Sequence, residues 1–238
     1  MRRALPILSL ALVIAACSGA PIEEPADPAE DTTLSEPVNI IAPTDFAALT
    51  LGGTIQGPLG PEVEASLIVD GVAIGDIASR VQCPEGIDPC DPGTTEEGTI
   101  YTYIYEVRPG FDGPNDPPFE MPEEVRPVES ASRFALAFPA HGFTGIAGYA
   151  VYDAEEVLAE GFNASISCVD DRIIWSFPEE SGWSTGETIT FFWQTTQPPS
   201  GPEGEYLFVA DELEATGPGP MPTVGGEIAA VCETSPAG

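Results

Sequence analysis

The chain has 238 residues, 42% of them hydrophobic and 19% charged, and its 39 acidic residues against seven basic ones give a formal charge of −32. All seven basic residues are arginines, so Schiff-base chemistry, serine–lysine dyads and the lysine-bearing phosphate loop have no residue to carry them. A body this acidic repels nucleic acid and anionic membrane surfaces, which argues against a DNA- or RNA-binding role.

Residues 1–16 read as an export signal. A basic start at Arg2 and Arg3 precedes an apolar stretch from Ala4 to Ala15 and small residues before Cys17. The stretch is too short to cross about 30 Å of hydrocarbon as a stable helix. The run Ile14-Ala15-Ala16-Cys17 resembles the lipobox of bacterial lipoproteins. That resemblance implies cleavage before Cys17, a diacylglycerol thioether and an N-terminal acyl chain such as palmitate. It also implies the outer membrane, because Ser18 stands where an Asp would retain the protein at the inner one. Two or more acyl chains, at about 0.8 kcal/mol per buried methylene, anchor stably where one does not. The alternative is an ordinary signal cut near Ala20 that discards Cys17.

Loss of the leader leaves five arginines against 39 carboxylates, a formal charge of −34. Residues 17–45 then read as a lipidated tether. The stretch Pro21 to Asp31 is rich in proline and acid and lacks an apolar period, so it cannot bury enough surface to offset chain entropy and is expected to stay extended and disordered.

Residues 46–216 alternate short apolar runs with turn residues. Ala65–Val69 and Val72–Ile74 flank Asp70-Gly71, a strong two-residue hairpin signal. Thr99–Val107 places Tyr101, Tyr103, Tyr105 and Val107 on one face and Ile100, Thr102, Ile104 and Glu106 on the other. Phe134, Leu136 and Phe138 alternate likewise, and residues 154–160 are the fair helix candidate, about two turns. A strand from Phe162 to Cys168 turns at Asp170-Asp171 into Ile173–Phe177, and Thr188–Gln194 and Tyr206–Ala210 are two more strands joined by the loop Pro198–Pro202. Many short strands punctuated by Gly and Pro predict an all-β fold, a β-sandwich of antiparallel strands with Trp175, Phe177, Phe191 and Trp193 in its core. Residues 217–238 read as a Gly/Pro-rich tail.

Beyond Cys17, four cysteines remain, an even number in an exported chain and hence two expected disulfides. Of the three connectivities, Cys83–Cys90 is preferred because Pro84, Gly86, Asp88 and Pro89 suit a tight loop. Cys168–Cys232 then closes a long one, worth on the order of 4 kcal/mol, and pins the tail. Zinc is disfavoured by a single histidine and the absence of close Cys pairs.

Candidate chemistry is sparse. Gly182-Trp183-Ser184-Thr185-Gly186 matches the letters of a nucleophile elbow, but a strand follows where a helix is required, and His141 precedes Ser184. A Ca²⁺ site is considered at Asp112, Asn115 and Asp116 on a Gly/Pro turn, with Asp88 and Asp91 a second choice; the competing reading is a solvated loop whose acids cap turns. Trp183, in a Ser-Gly-Trp-Ser-Thr-Gly context, reads as an exposed ring able to stack on a carbohydrate. The stretch Gly182–Gln197 loosely resembles secreted bacterial proteins with sorting tails and no settled activity, and it implies none here. The expectation is therefore a lipid-anchored envelope protein with a non-catalytic structural, adhesive or ligand-binding role and a possible glycan or envelope-protein partner. The alternatives are an exported hydrolase acting on polysaccharide or ester, and a Ca²⁺-dependent binding module.

Overall fold

The computed structural model describes residues 39–55, 62–159, 164–178 and 181–224. Cys17, the Pro21–Asp31 stretch and Cys232 lie outside them. The body is all-β with one short helix, and its strands form one curled, hydrogen-bonded sheet rather than the two separate sheets expected of a sandwich.

In chain order the strands are β1 (Asn39–Ile41), β2 (Thr44–Asp45), β3 (Leu51–Thr54), β4 (Val63–Val69), β5 (Val72–Pro84), β6 (Tyr101–Pro109), β7 (Ala131–Leu136) and β8 (Phe143–Tyr149). Helix α1 (Val151–Val157) follows, then β9 (Ser165–Val169), β10 (Arg172–Ser176), β11 (Ile189–Thr195), β12 (Pro199–Ala210) and β13 (Leu213–Pro222). Their order across the sheet is β1-β9-β10-β7-β12-β13-β4-β5-β6-β11-β8-β2, with β3 added to β5. The two ends of this path are β1 and β2, which only Ala42 and Pro43 separate. A single segment, Asn39–Asp45, thus pairs with β9 on one side and with β8 on the other and closes the curl.

Three two-residue hairpins set the register. Asp70-Gly71 joins β4 to β5 with φ of 50° and 83°, Asp170-Asp171 joins β9 to β10 with 49° and 61°, and Asp211-Glu212 joins β12 to β13 with 49° and 64°. Positive φ at both central residues matches the right-handed twist of the flanking strands. The third hairpin lies where the sequence reading left the end of a strand and a loose tail. Gly217-Pro218-Gly219-Pro220 is part of β13, paired with β12. Both positions are buried and require glycine, because a Cβ at Gly219 would lie 2.5 Å from the Tyr206 ring and one at Gly217 2.8 Å from Leu67. Pro218 and Pro220 bring no N–H, and β13 meets β4 through a single pair, Thr216 with Ile68.

The curl brings β7, β10 and β12 over β6 and β11. Phe134 on β7 stacks on Phe191 of β11 at 5.1 Å, and Trp175 on β10 lies 5.7 Å from the same ring. Tyr103, Tyr105 and Val107 face this core, as the alternation predicted. On the opposite side of the sheet Ile104 and Phe192 are also buried; Phe46, in the short 3₁₀ turn Phe46–Ala48, sits 5.7 Å from Phe192. Helix α1 begins three residues before the predicted start. Asp45 accepts the Val151 N–H at its head, and Asp153 accepts both N–H and O–H of Thr190, docking the helix on β11. No helix among the described residues is long and apolar enough to cross a membrane.

Candidate functional site

A surface groove lies at the end of the sheet where β6 begins and β11 ends. It has a volume of about 560 Å³ and is walled by residues 92–99 on one side and Thr196, Gln197 and Pro198 on the other, with Tyr101 at its floor. That volume falls within the roughly 300–1,000 Å³ of small-molecule sites.

Local chemistry fixes both walls. Cys83 and Cys90 form a disulfide, as the tight-loop argument predicted, and it staples the root of the first wall to β5. Asp91 then turns the chain: its Oδ1 accepts the Gly93 N–H, and its carbonyl accepts the N–H groups of Thr94 and Thr95. Thr95 Oγ1 and the Tyr101 hydroxyl hydrogen-bond at 2.5 Å, tying the wall to the floor. The second wall is held by Gln197 N–H donating to Thr195 Oγ1 and by the Tyr103 hydroxyl donating to the Gln197 carbonyl. Gln197 Oε1 accepts from Thr223 Oγ1, so the hydrogen-bonding capacity left on that amide is chiefly its NH₂ donors. Four side-chain hydroxyls, one amide and the carboxylates of Glu96 and Glu97 line the space, with no arginine among them.

The residues singled out from sequence fall elsewhere. Trp183 is fully buried, with its ring 5.0 Å from Phe177 and 5.6 Å from Phe208, and its indole N–H donates to the Glu187 carbonyl. It is a core residue and not a stacking platform. The polar Ser/Gly/Thr context that suggested exposure is a turn folded over it.

Ser184 gives its N–H and hydroxyl to Glu187 Oε2. His141 sits by Thr195, whose hydroxyl donates to the His141 carbonyl. Ser184 precedes the first residue of β11 and His141 adjoins its last, so about 20 Å of strand separates the two, at roughly 3.3 Å per residue.

The three groups proposed for Ca²⁺ serve as turn pins. Asp112 Oδ1 accepts from the Ser66 hydroxyl at 2.7 Å, and Asn115 Nδ2 donates to Ser66 Oγ and to the Glu120 carbonyl. Asp116 Oδ2 accepts the Glu64 N–H at 3.0 Å. Among the described residues no group of three or more His, Cys, Asp or Glu is arranged to hold a metal ion. Cys168 is buried on β9 opposite Ile173.

Asp76, which the sequence reading passed over, stands at a smaller pocket of about 230 Å³ with Glu64, Glu106, Arg108 and Phe111. Its Oδ2 accepts the Gly113 N–H and holds the loop after β6 against β5. Its Oδ1 is buried and has no hydrogen-bond partner among the described residues. Burial first, and then the negative charges of Asp112 and Glu64, push its pKa up to about 6 against the opposing Gly113 hydrogen bond. Only its even-numbered place on β5, on the outward face, hinted at a role.

Comparison with protein-family models, with curated proteins and with solved structures finds no match for this chain.

Proposed function

We propose that the protein is a lipid-anchored envelope protein, moored through Cys17 at the outer membrane, whose β body works by non-covalent binding. The Ala15-Ala16-Cys17 run supports the mooring, and the segment before Asn39 supplies the spacer. The observation that carries the binding role is the groove between residues 92–99 and 196–198, built on a disulfide and a closed sheet. A rigid, hydrogen-bonded wall loses little freedom when a ligand settles, which favours recognition. Within this reading the curled sheet acts as a flattened sandwich, and Cys168 pairs with Cys232 to hold the C-terminal residues to β9.

The anchor is tested by growing the native host with labelled palmitate. Label is expected on the wild-type chain in the membrane fraction and is expected to vanish, with release of the protein from membranes, in Cys17→Ala. Equal labelling of the two chains would overturn the mooring.

A further inference from the structure

Resting on that binding role, we infer that the groove between residues 92–99 and 196–198 takes a neutral, polyhydroxylated ligand, a short oligosaccharide. The lining chemistry sorts the ligand classes. Glu96 and Glu97 line the groove without an arginine, inside a chain of formal charge −32, so phosphate, sulfate, uronate and nucleic acid are repelled. A wholly apolar ligand would cover the oxygens of Thr95, Thr99, Tyr101 and Thr196 and the two carboxylates without replacing their water. A cationic amine would rest on the charges of the exposed Glu96 and Glu97 alone, an attraction that salt screens.

A sugar fits what is left. Vicinal hydroxyls donate to the carboxylate oxygens, which only accept, and to the threonine oxygens, whose own protons go to the carbonyls of Pro92, Glu96 and Gly142, and they accept from the Gln197 NH₂, which only donates. Pro92 and Pro198, one on each wall, offer ring faces to the C–H side of a pyranose. The walls are fixed before binding by the Cys83–Cys90 disulfide, the Asp91 turn and the Thr95–Tyr101 bond, so the polar groups need no reordering. The role sought for Trp183 thereby passes to hydroxyls and prolines at another end of the molecule.

The test is calorimetric titration of the full mature chain with neutral glucan, mannan and N-acetylglucosamine oligomers, with spermidine as a cationic probe. At least one neutral oligomer is expected to bind with a Kd between about 10 µM and 1 mM, a range usual for few hydrogen bonds. That affinity is expected to stay level between low and high salt and to fall about tenfold in both Gln197→Ala and Glu97→Ala, one lost hydrogen bond each. Both variants keep the core intact, and an unchanged thermal midpoint confirms it. The inference is overturned if no neutral oligomer binds, if both variants bind as the wild type does, or if spermidine alone binds and salt abolishes it. Recovered sugar is then sized: intact oligomer supports binding without turnover, whereas cleaved oligomer leaves the groove assignment standing and overturns the non-catalytic role on which it rests.

Discussion

A chain of buried hydrogen bonds runs through the aromatic core. The Trp193 indole N–H donates to the Tyr105 hydroxyl at 2.8 Å, Tyr105 donates to Tyr206 at 3.1 Å, and Tyr206 donates to the Pro220 carbonyl. Because each member satisfies the next, Tyr206→Phe leaves a buried O–H and a buried C=O unpaired at once. The expected cost is about 2 kcal/mol or more in urea unfolding, with the near-ultraviolet spectrum retained. Burial also holds the Tyr103, Tyr105 and Tyr206 hydroxyls well above the ordinary value of 10, so they stay protonated in the folded protein where an exposed tyrosine ionises.

Asp76 acts in the opposite sense on a carboxylate. Its folded pKa near 6 exceeds the ordinary 3.8. The group therefore favours the fold fully below pH 4, and that contribution is lost as pH rises through 6. Asp76→Asn keeps an acceptor for the Gly113 N–H and removes the ionisation. The difference in stability between variant and wild type is expected to grow in the variant's favour from pH 4 to pH 7 in urea melts, and a flat difference would contradict this account.

Among the elements, the hairpins show most plainly what could be read from the sequence. Asp70-Gly71 was legible because glycine at a positive φ between two apolar runs has few other uses. Asp170-Asp171 was legible because a short polar pair tolerates the left-handed region. Asp211-Glu212 was not, since Glu212 holds φ 64° without glycine or a short side chain. With that turn unseen, the Gly217–Pro220 stretch looked like a tail, whereas it is a strand whose glycines make room for Tyr206 and Leu67. Glu212→Gly relieves the strain and is expected to raise stability by about 0.5–1 kcal/mol, measured by the denaturant midpoint at unchanged slope. The groove escaped notice for a different reason. Its walls come from segments about 100 residues apart and consist of threonine, proline and glutamine, residue types that signal loops and not chemistry. The core aromatics, by contrast, announced themselves through the alternation of Tyr101, Tyr103 and Tyr105 in β6.

For the molecule as a whole, charge is the dominant constraint. Ion pairing offsets little of it: among the described residues the pairs are Arg80–Glu106 at 2.6 Å and Arg172–Asp170 at 3.4 Å, both partly open to water. Added salt screens repulsion over about 10 Å at 0.1 M while breaking almost nothing, so the melting temperature is expected to rise with sodium chloride and to level off once screening is complete. A melting temperature indifferent to salt would show that the carboxylates are too dispersed to repel. The closure of the sheet also dictates a schedule. Asn39 meets Cys168 and Asp45 meets Tyr149, partners synthesised about 100–130 residues after them. The opening stretch of the body must therefore wait, unpaired, until most of the polypeptide has emerged, and its insertion is the late step that seals the seam. A nascent chain interrupted before Ser165 presents the bare margins of β7 and β8, whose partners β10 and β11 are not yet made, to whatever chaperone or sister chain is at hand.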